Sequence, residues 1–209
     1  MTTIFIISAP SGSGKSTLVG RLLPTVPGLM FSVSYTTRPL RGHEKNGQSY
    51  HFVTCEDFQA MVARDEFLEW AQVFGNYYGT HRGILEAAQA AGRDLVLDID
   101  VQGARQLKDR IPEAVTIFIL APSRKVLEAR LRTRCEDRED VIERRLREAA
   151  VEIQKYKDYD YVLINRDLPE SDAVLGAIVR AERIRRDRIE DQIEPILETF
   201  RTEKETHNG

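Results

Sequence analysis

The stretch "SAPSGSGKST", Ser8 to Thr17, decides how this chain is read. It nearly spells the phosphate-binding pattern G-x-x-x-x-G-K-[ST], with Ala9 in place of the first glycine. It closes "TIFIISA", Thr3 to Ala9, a continuous β-branched and apolar run of the kind a buried parallel strand shows. Gly14 to Leu23 then has helical spacing and ends at Pro24. A strand that opens into a helix through Gly12 and Gly14 gathers backbone N–H groups around one point, and the helix N-terminus adds partial positive charge. Lys15 can then reach the β- and γ-phosphates of a nucleotide, and the Ser16 hydroxyl can sit on Mg2+. The missing glycine matters little. Position 9 ends the strand, where alanine fits at negative φ. G-K-[ST] alone arises by chance in roughly one chain of this length in ten; the strand before it and the helix after it carry the argument. ATP is the expected ligand. The "LVLDID" run supports this, because an apolar strand ending in an acid, Asp98, is the usual partner of such a loop for holding Mg2+ or its waters.

Outward from the loop, strands and helices alternate. "DLVLDID" (Asp94–Asp100), "AVTIFILA" (Ala114–Ala121) and "YDYVLIN" (Tyr159–Asn165) read as further buried strands. Helical patterns fall at roughly 101–110, 123–133, 138–157 and 171–190. This order predicts an α/β fold, a parallel sheet flanked by helices. Ser32 to Arg82 breaks the rhythm with short alternating segments such as "QSYHFV" and "EFLEWAQVF", and reads as a mainly β insertion with one short helix near 56–64. The expected division is a core of 2–31, 83–124 and 146–182, an insertion of 32–82, a lid of 125–145 and a charged helical extension of 183–209. Ile184, Ile189, Ile193, Ile196, Leu197 and Phe200 give the extension a ragged apolar stripe, and Pro195 is expected to break or restart its helix. The stripe reads as a helix packed on its own domain, with a homo-oligomer contact as the alternative.

A net charge of −3 argues against a nucleic-acid partner, so any anion site must be local. No apolar run is long enough to span a membrane, and the short Ile4–Ile7 run lacks the basic flank of a signal peptide. The two cysteines, Cys55 and Cys135, are far apart and form neither a disulfide framework nor a zinc pattern. A cytoplasmic protein is expected. Cys55 reads as a semi-buried packing residue, and His43, His51 and His81 have no metal-ligand spacing.

In "SVSYTTRPLRGHEKNGQSYHFV", Ser32 to Val53, Arg38 and Arg41 lie three apart, with Tyr50 beyond them. Two guanidinium groups and a phenol suit a doubly charged phosphate. A solvated basic loop is the equal alternative on the residues alone. Here the sequence resembles a known family. "TTRPLRGHEKNGQSYHF" is similar to the guanylate kinase signature T-T-R-x-x-R-x-x-E-x-x-G-x-x-Y-x-F. "SAPSGSGKST", "EFLEWAQVFGNYYGT" and "LDIDVQGA" resemble the same family in the right order, over about residues 3–182. Ala9 is similar to bacterial members at that position.

The resemblance implies the reaction ATP + GMP → ADP + GDP with Mg2+, and dGMP as a further acceptor. It implies that Ala9, Pro10, Ser11, Gly12, Ser13, Gly14, Lys15, Ser16 and Thr17 cradle ATP, with Asn165 on the adenine side. Arg38, Arg41, Tyr50 and Tyr78 would hold the GMP phosphate. Ser34, Glu69, Thr80 and Asp100 would hold guanine. The chemistry agrees, since guanine presents two adjacent donors, N1–H and N2–H₂, and a carboxylate offers two acceptors and a charge. In the charge-rich "SRKVLEARLRTRCEDREDVIERRLREA", Ser123 to Ala149, most charges read as solvated i,i+4 pairs. The resemblance singles out Arg130, Arg134 and Arg145 as lid arginines that join Lys15, Arg38 and Asp98 in the transfer. Two departures stand out: Cys135 where the family reads glycine, and Arg166 where an acid is usual. The rival expectation is an inactive guanylate-kinase-like module that binds proteins. Such modules lose loop and lid residues that are present here.

Overall fold

Successive side chains of a strand point to opposite faces. In the computed structural model, which describes residues 2–73, 75–134 and 139–205 (only the backbone of Arg134 and of 202–205), strand β1 is Ile4–Ser8 and every residue of it is buried. Phe5 and Ile7 join Leu18, Leu22, Ile117 and Leu175 on one face; Ile4 and Ile6 join Leu95, Leu97 and Leu107 on the other. Burial on both faces is why the run has no polar alternation. Each such side chain removed from water contributes roughly 1.5–3 kcal/mol.

The chain continues through α1 (Lys15–Thr25), β2 (Leu29–Phe31), β3 (Tyr35–Thr36), β4 (His51–Phe52), α2 (Cys55–Ala63), β5 (Phe67–Val73), β6 (Asn76–His81), α3 (Gly83–Ala90), β7 (Asp94–Asp98), α4 (Val101–Arg110) and β8 (Val115–Leu120). It ends with α5 (Arg124–Arg134), α6 (Glu139–Glu152), a 3-10 segment (Ile153–Asp158), β9 (Tyr161–Ile164), α7 (Leu168–Arg183) and α8 (Arg186–Glu205). One sheet has the order β2-β7-β1-β8-β9 and is parallel at every pairing. The second has the order β4-β3-β6-β5 and is antiparallel except where β3 meets β4. The α/β fold with a mainly β insertion is therefore as the sequence predicts.

The insertion has its own small core, in which Phe58 stacks on Phe67 at 4.5 Å beside Met61. It docks on the first sheet's layer through α4. Gln106 Nε2 donates to the Trp70 carbonyl at 2.9 Å, and Arg110 Nη1 donates to the Leu68 carbonyl at 2.7 Å. Helices α5 and α6 pack around Leu127, Leu131, Ile142 and Leu146.

Several local expectations are corrected. Helix α1 carries Pro24 in its last turn instead of stopping before it. The run ending at Asp100 leaves the sheet at Asp98, because the Asp100 side chain accepts from Gly103 N and caps α4. The 171–190 pattern divides into α7 and α8, with Ile184 between them. Pro195 lies inside α8 and does not end it; the helix forgoes one backbone bond there. The start of α8 is tied down by Arg188, which donates to Thr3 Oγ1 at 2.6 Å and to the Glu113 carbonyl at 3.2 Å. Ile189 and Ile193 are half-buried, but Ile184, Ile196, Leu197 and Phe200 are exposed, so the stripe is covered only in part. Cys55 is exposed, not semi-buried, because it opens α2 directly after the cap Thr54. The edge strand β2 and helix α3 have no counterpart in the sequence reading. Strand β2 has only three residues, and α3 buries only Ala88, too little for a visible stripe.

Candidate functional site

Strands β1 and β7 pair with Ile7 opposite Asp98, so the phosphate loop leaves the sheet beside the acidic end of its neighbour. This is the carboxyl edge of a parallel sheet, where such folds bind ligands. Gly12 and Gly14 have φ of 89° and 96°, a region that glycine occupies without steric cost. Gly14 is also where Asn165 packs; a Cβ there would strike its amide. Lys15 Nζ lies 2.5 Å from Asp98 Oδ1 and donates to the Ile99 carbonyl at 3.0 Å. Ser16 Oγ donates to Asp98 Oδ2 at 3.5 Å. Ser16 and Asp98 thus form a pair of hard oxygen donors beside the loop. They fit Mg2+, which takes one or two protein oxygens and fills its shell with water and phosphate.

The back of the loop is braced. Ser13 is buried, and its carbonyl accepts from Asn165 Nδ2 at 2.9 Å and Arg130 Nη1 at 3.3 Å. Arg130 Nη2 donates to the Asn165 carbonyl at 3.0 Å. Asn165 is 3% exposed, yet its Oδ1 has no hydrogen-bond partner among the described residues. A cavity of about 450 Å³ opens there, lined by Gly12, Gly14, Ser16, Thr17, Arg130, Asn165 and Leu168. Ala9 and Pro10 lead out of β1, and Ser11 and Thr17 are exposed.

On the insertion side, the β5–β6 register sets Glu69 opposite Thr80. Thr80 Oγ1 donates to Glu69 Oε1 at 2.6 Å, and the carboxylate is only 3% exposed. Its other oxygen lies against Gly103 in the first turn of α4, where a Cβ would collide with it. Burial pushes the Glu69 carboxyl up to about 7, opposed by the Thr80 hydrogen bond and reinforced by Asp100. Asp100 Oδ1 is taken by Gly103 N at 2.8 Å. Ser34 is buried just before β3, and its carbonyl accepts from His51 N at 2.9 Å.

Arg38 is 7% exposed and makes a two-pronged ion pair with Glu44, Nη2 to Oε1 at 2.7 Å and Nη1 to Oε2 at 3.0 Å. Its guanidinium lies over the Tyr50 ring at 5.3 Å, and Tyr50 meets Tyr78 edge-on at 5.9 Å. Burial, with the Asp98 charge as the next cause, lifts the Tyr50 hydroxyl to about 12. Arg41 is exposed.

The structure thus brings Lys15, Ser16 and Asp98 together, Arg130 and Asn165 behind the loop, Glu69 and Thr80 beside Asp100, and Arg38 beside Tyr50 and Tyr78. Arg145 is half-buried on α6. The side chain of Arg134 and all of Cys135 lie outside the described residues. Arg166 is exposed, and nothing in the structure explains its replacing an acid. His51 stacks on Tyr35 at 4.6 Å, and His81 Nδ1 accepts from Gly83 N at 3.1 Å. The sequence reading gives no role to three residues. Glu44 is the acid of the quoted signature and Gly103 the glycine of "LDIDVQGA", but neither is assigned a function there. Glu152, at the end of α6, is pushed up to about 7 by burial and by Asp100, with Lys15 opposing; nothing in its sequence context marks it.

The guanylate kinase family profile matches residues 1–182. The chain is 58% identical over 201 residues to a guanylate kinase of Koribacter versatilis, covering 94% of this chain and 86% of that one. It is 52% identical over 195 residues to a guanylate kinase of Neisseria meningitidis serogroup A, covering 93% and 95%. The crystal structure of guanylate kinase from Anaplasma phagocytophilum superposes with a TM-score of 0.74 at 35% identity, covering 90% and 89%. No helix among the described residues is long and apolar enough to cross a membrane.

Proposed function

The chain belongs to the guanylate kinase family; it moves a phosphoryl group from ATP to GMP, and we propose how its residues divide that work. The observation that carries the reading is Glu69, a buried carboxylate with one oxygen on Thr80 and the other against Gly103. Such a group needs donors to complete it, and guanine supplies N1–H and N2–H₂. Adenine has an unprotonated N1 and no 2-amino group, so it would leave the carboxylate unpaired in a buried site. Ser34, Thr80 and Asp100 complete the base pocket. Arg38, Arg41, Tyr50 and Tyr78 take the GMP phosphate.

On the donor side, the loop from Ala9 to Thr17 cradles the ATP phosphates. Asn165 Oδ1, the unpartnered acceptor at the cavity wall, suits the adenine amino group. Lys15 meets the transferring phosphoryl group, a role supported by its place beside Asp98. Ser16 and Asp98 are the residues that would hold Mg2+, which neutralises phosphate charge when bound. Arg130, Arg134 and Arg145 complete the positive surround. No strong general base is needed, because the GMP phosphate is already a nucleophile at neutral pH. The work is positioning and charge stabilisation. The insertion of 32–82 and the lid of 125–145 close on the core of 2–31, 83–124 and 146–182, and exclude water that would otherwise hydrolyse ATP. We place this activity in the cytoplasm, with dGMP as a second acceptor. The exposed Ile196 and Phe200 of α8, one helical turn apart, suit contact with a second copy of the chain; sedimentation at rising concentration tests that.

The decisive assay compares GMP, dGMP, AMP, UMP and CMP as acceptors at saturating MgATP. Transfer to GMP and dGMP with little to the others is expected. A preference for AMP or a pyrimidine nucleotide would overturn the reading.

A further inference from the structure

Resting on the reading of Arg38 as a phosphate ligand, we infer that Glu44 is a positioning residue that presents one fixed edge of the Arg38 guanidinium to the acceptor phosphate. The guanidinium is planar, with five N–H groups in a rigid fork. Three of them are committed. Glu44 takes one from Nη1 at 3.0 Å and one from Nη2 at 2.7 Å, and the Pro39 carbonyl takes the second from Nη1 at 2.7 Å. The two left over, Nε–H and the remaining Nη2–H, lie on one edge. That edge is the fork that matches two oxygens of a phosphate. Tyr50 and Phe52 lie against its face at 5.3 and 5.6 Å.

Glu44 also shapes the loop. Its Oε2 accepts from Arg41 N at 2.9 Å, while its own N–H donates to the Arg41 carbonyl at 3.0 Å. One carboxylate therefore closes the turn that carries Arg41 and clamps the side chain of Arg38. A buried guanidinium without this partner would be an uncompensated charge with free rotamers. GMP would then have to order it on arrival, and affinity would fall. The opposing effect is repulsion between Glu44 and the phosphate. If repulsion dominated, Glu44 would act as a competitor for Arg38, and its removal would tighten GMP binding. The geometry favours positioning, because Glu44 occupies the far edge of the fork and leaves the Nε–Nη2 edge open.

The test measures KM for GMP and for ATP, kcat, and binding of guanosine, in wild type, Glu44→Ala, Glu44→Gln, Arg38→Ala and the Arg38→Ala/Glu44→Ala double variant. Glu44→Ala should raise KM for GMP at least ~10-fold, with kcat and KM for ATP within ~3-fold. Glu44→Gln, which keeps the shape and one acceptor, should recover part of the loss, and it also serves if the alanine variant fails to fold. Guanosine, which has no phosphate, should bind all the single variants alike. In the Arg38→Ala background the Glu44 substitution should cost little, since the two act as one unit. An unchanged or lowered KM for GMP in both Glu44 variants would overturn the inference. So would a loss of guanosine binding equal to that of GMP, which would mark Glu44 as a fold residue only. If Arg38→Ala itself leaves KM for GMP unmoved, it is the phosphate-site reading that fails, and the two failures are thereby told apart.

Discussion

At Glu69 the residue scale carries the specificity. On the proposed role, two charge-assisted hydrogen bonds from guanine to Glu69 would contribute about 1.5–3 kcal/mol each. Glu69→Gln turns one acceptor into a donor facing a donor, so kcat/KM for GMP should fall at least ~10-fold, with KM for ATP nearly unmoved and AMP gaining relative to GMP. An unchanged GMP-to-AMP ratio would make Glu69 a structural carboxylate. Its pH behaviour supplies a second prediction. The carboxyl sits at about 7 in the empty protein and must ionise to accept from guanine, so KM for GMP should rise as pH falls through that value. Stability moves the other way. Between the ordinary carboxylate range and about 7, the folded chain keeps a proton on Glu69 that the unfolded chain has lost. Stability therefore drains as pH rises through that window. Without GMP, Glu69→Gln should gain on wild type by up to roughly 3 kcal/mol between pH of about 5 and about 7.5. Thermal melts at both pH values check this, and a constant gap refutes it. Gly103 is the other residue on which the site turns: Gly103→Ala should push the Glu69 carboxylate aside and weaken GMP binding, with ATP kinetics intact.

At the scale of elements, the β1–loop–α1 unit meets the end of β7, because their pairing sets Ile7 opposite Asp98, and the proposed donor site lies at that junction. Lys15→Ala removes the cation at that junction. It should lower kcat at least ~10²-fold with little change in GMP affinity, as expected for losing one preorganised electrostatic donor. Turnover like that of wild type would sink the phosphate-loop reading. The insertion's sheet rests on its own aromatic core, Phe58 stacked between Phe67 at 4.5 Å and Tyr77 at 5.4 Å. Phe58→Ala should cost about 3–5 kcal/mol there. Because that core is separate from the clusters around β1, GMP binding should suffer first and ATP binding persist, which calorimetry with each nucleotide can distinguish.

At the scale of the whole molecule, GMP alone should protect amides near Arg38, Tyr50 and Glu69 from hydrogen exchange, if residues 32–82 move as a body onto the core. Protection confined to the core would rule that motion out. How much of this could be read in advance follows from the range of the interactions. The phosphate loop was legible because strand, glycines, lysine and helix are consecutive, and their geometry is local. The buried strands were legible because parallel strands covered on both faces leave no polar alternation. The proposed base pocket rests, at the level of sequence, only on the resemblance of its motif. Glu69 and Thr80 are eleven residues apart in sequence, and only the β5–β6 register brings them to 2.6 Å. The left-over pieces share one cause. Strand β2 and helix α3 are too short or too weakly amphipathic to leave a pattern, and they form because neighbours pair with them or cover them. The continuation of α8 through Pro195, the capping role of Asp100, the clamp of Glu44 on Arg38 and the contact of Gly103 with Glu69 depend on which side chains arrive from elsewhere in the chain. The sequence by itself determined the chemistry available and the order of strands and helices, since both are written in residue type and period. The tertiary structure alone decided which acids are paired, which are left buried near neutrality, and which face of each arginine is open, because burial and hydrogen-bond partners are properties of residues distant in sequence and adjacent in space.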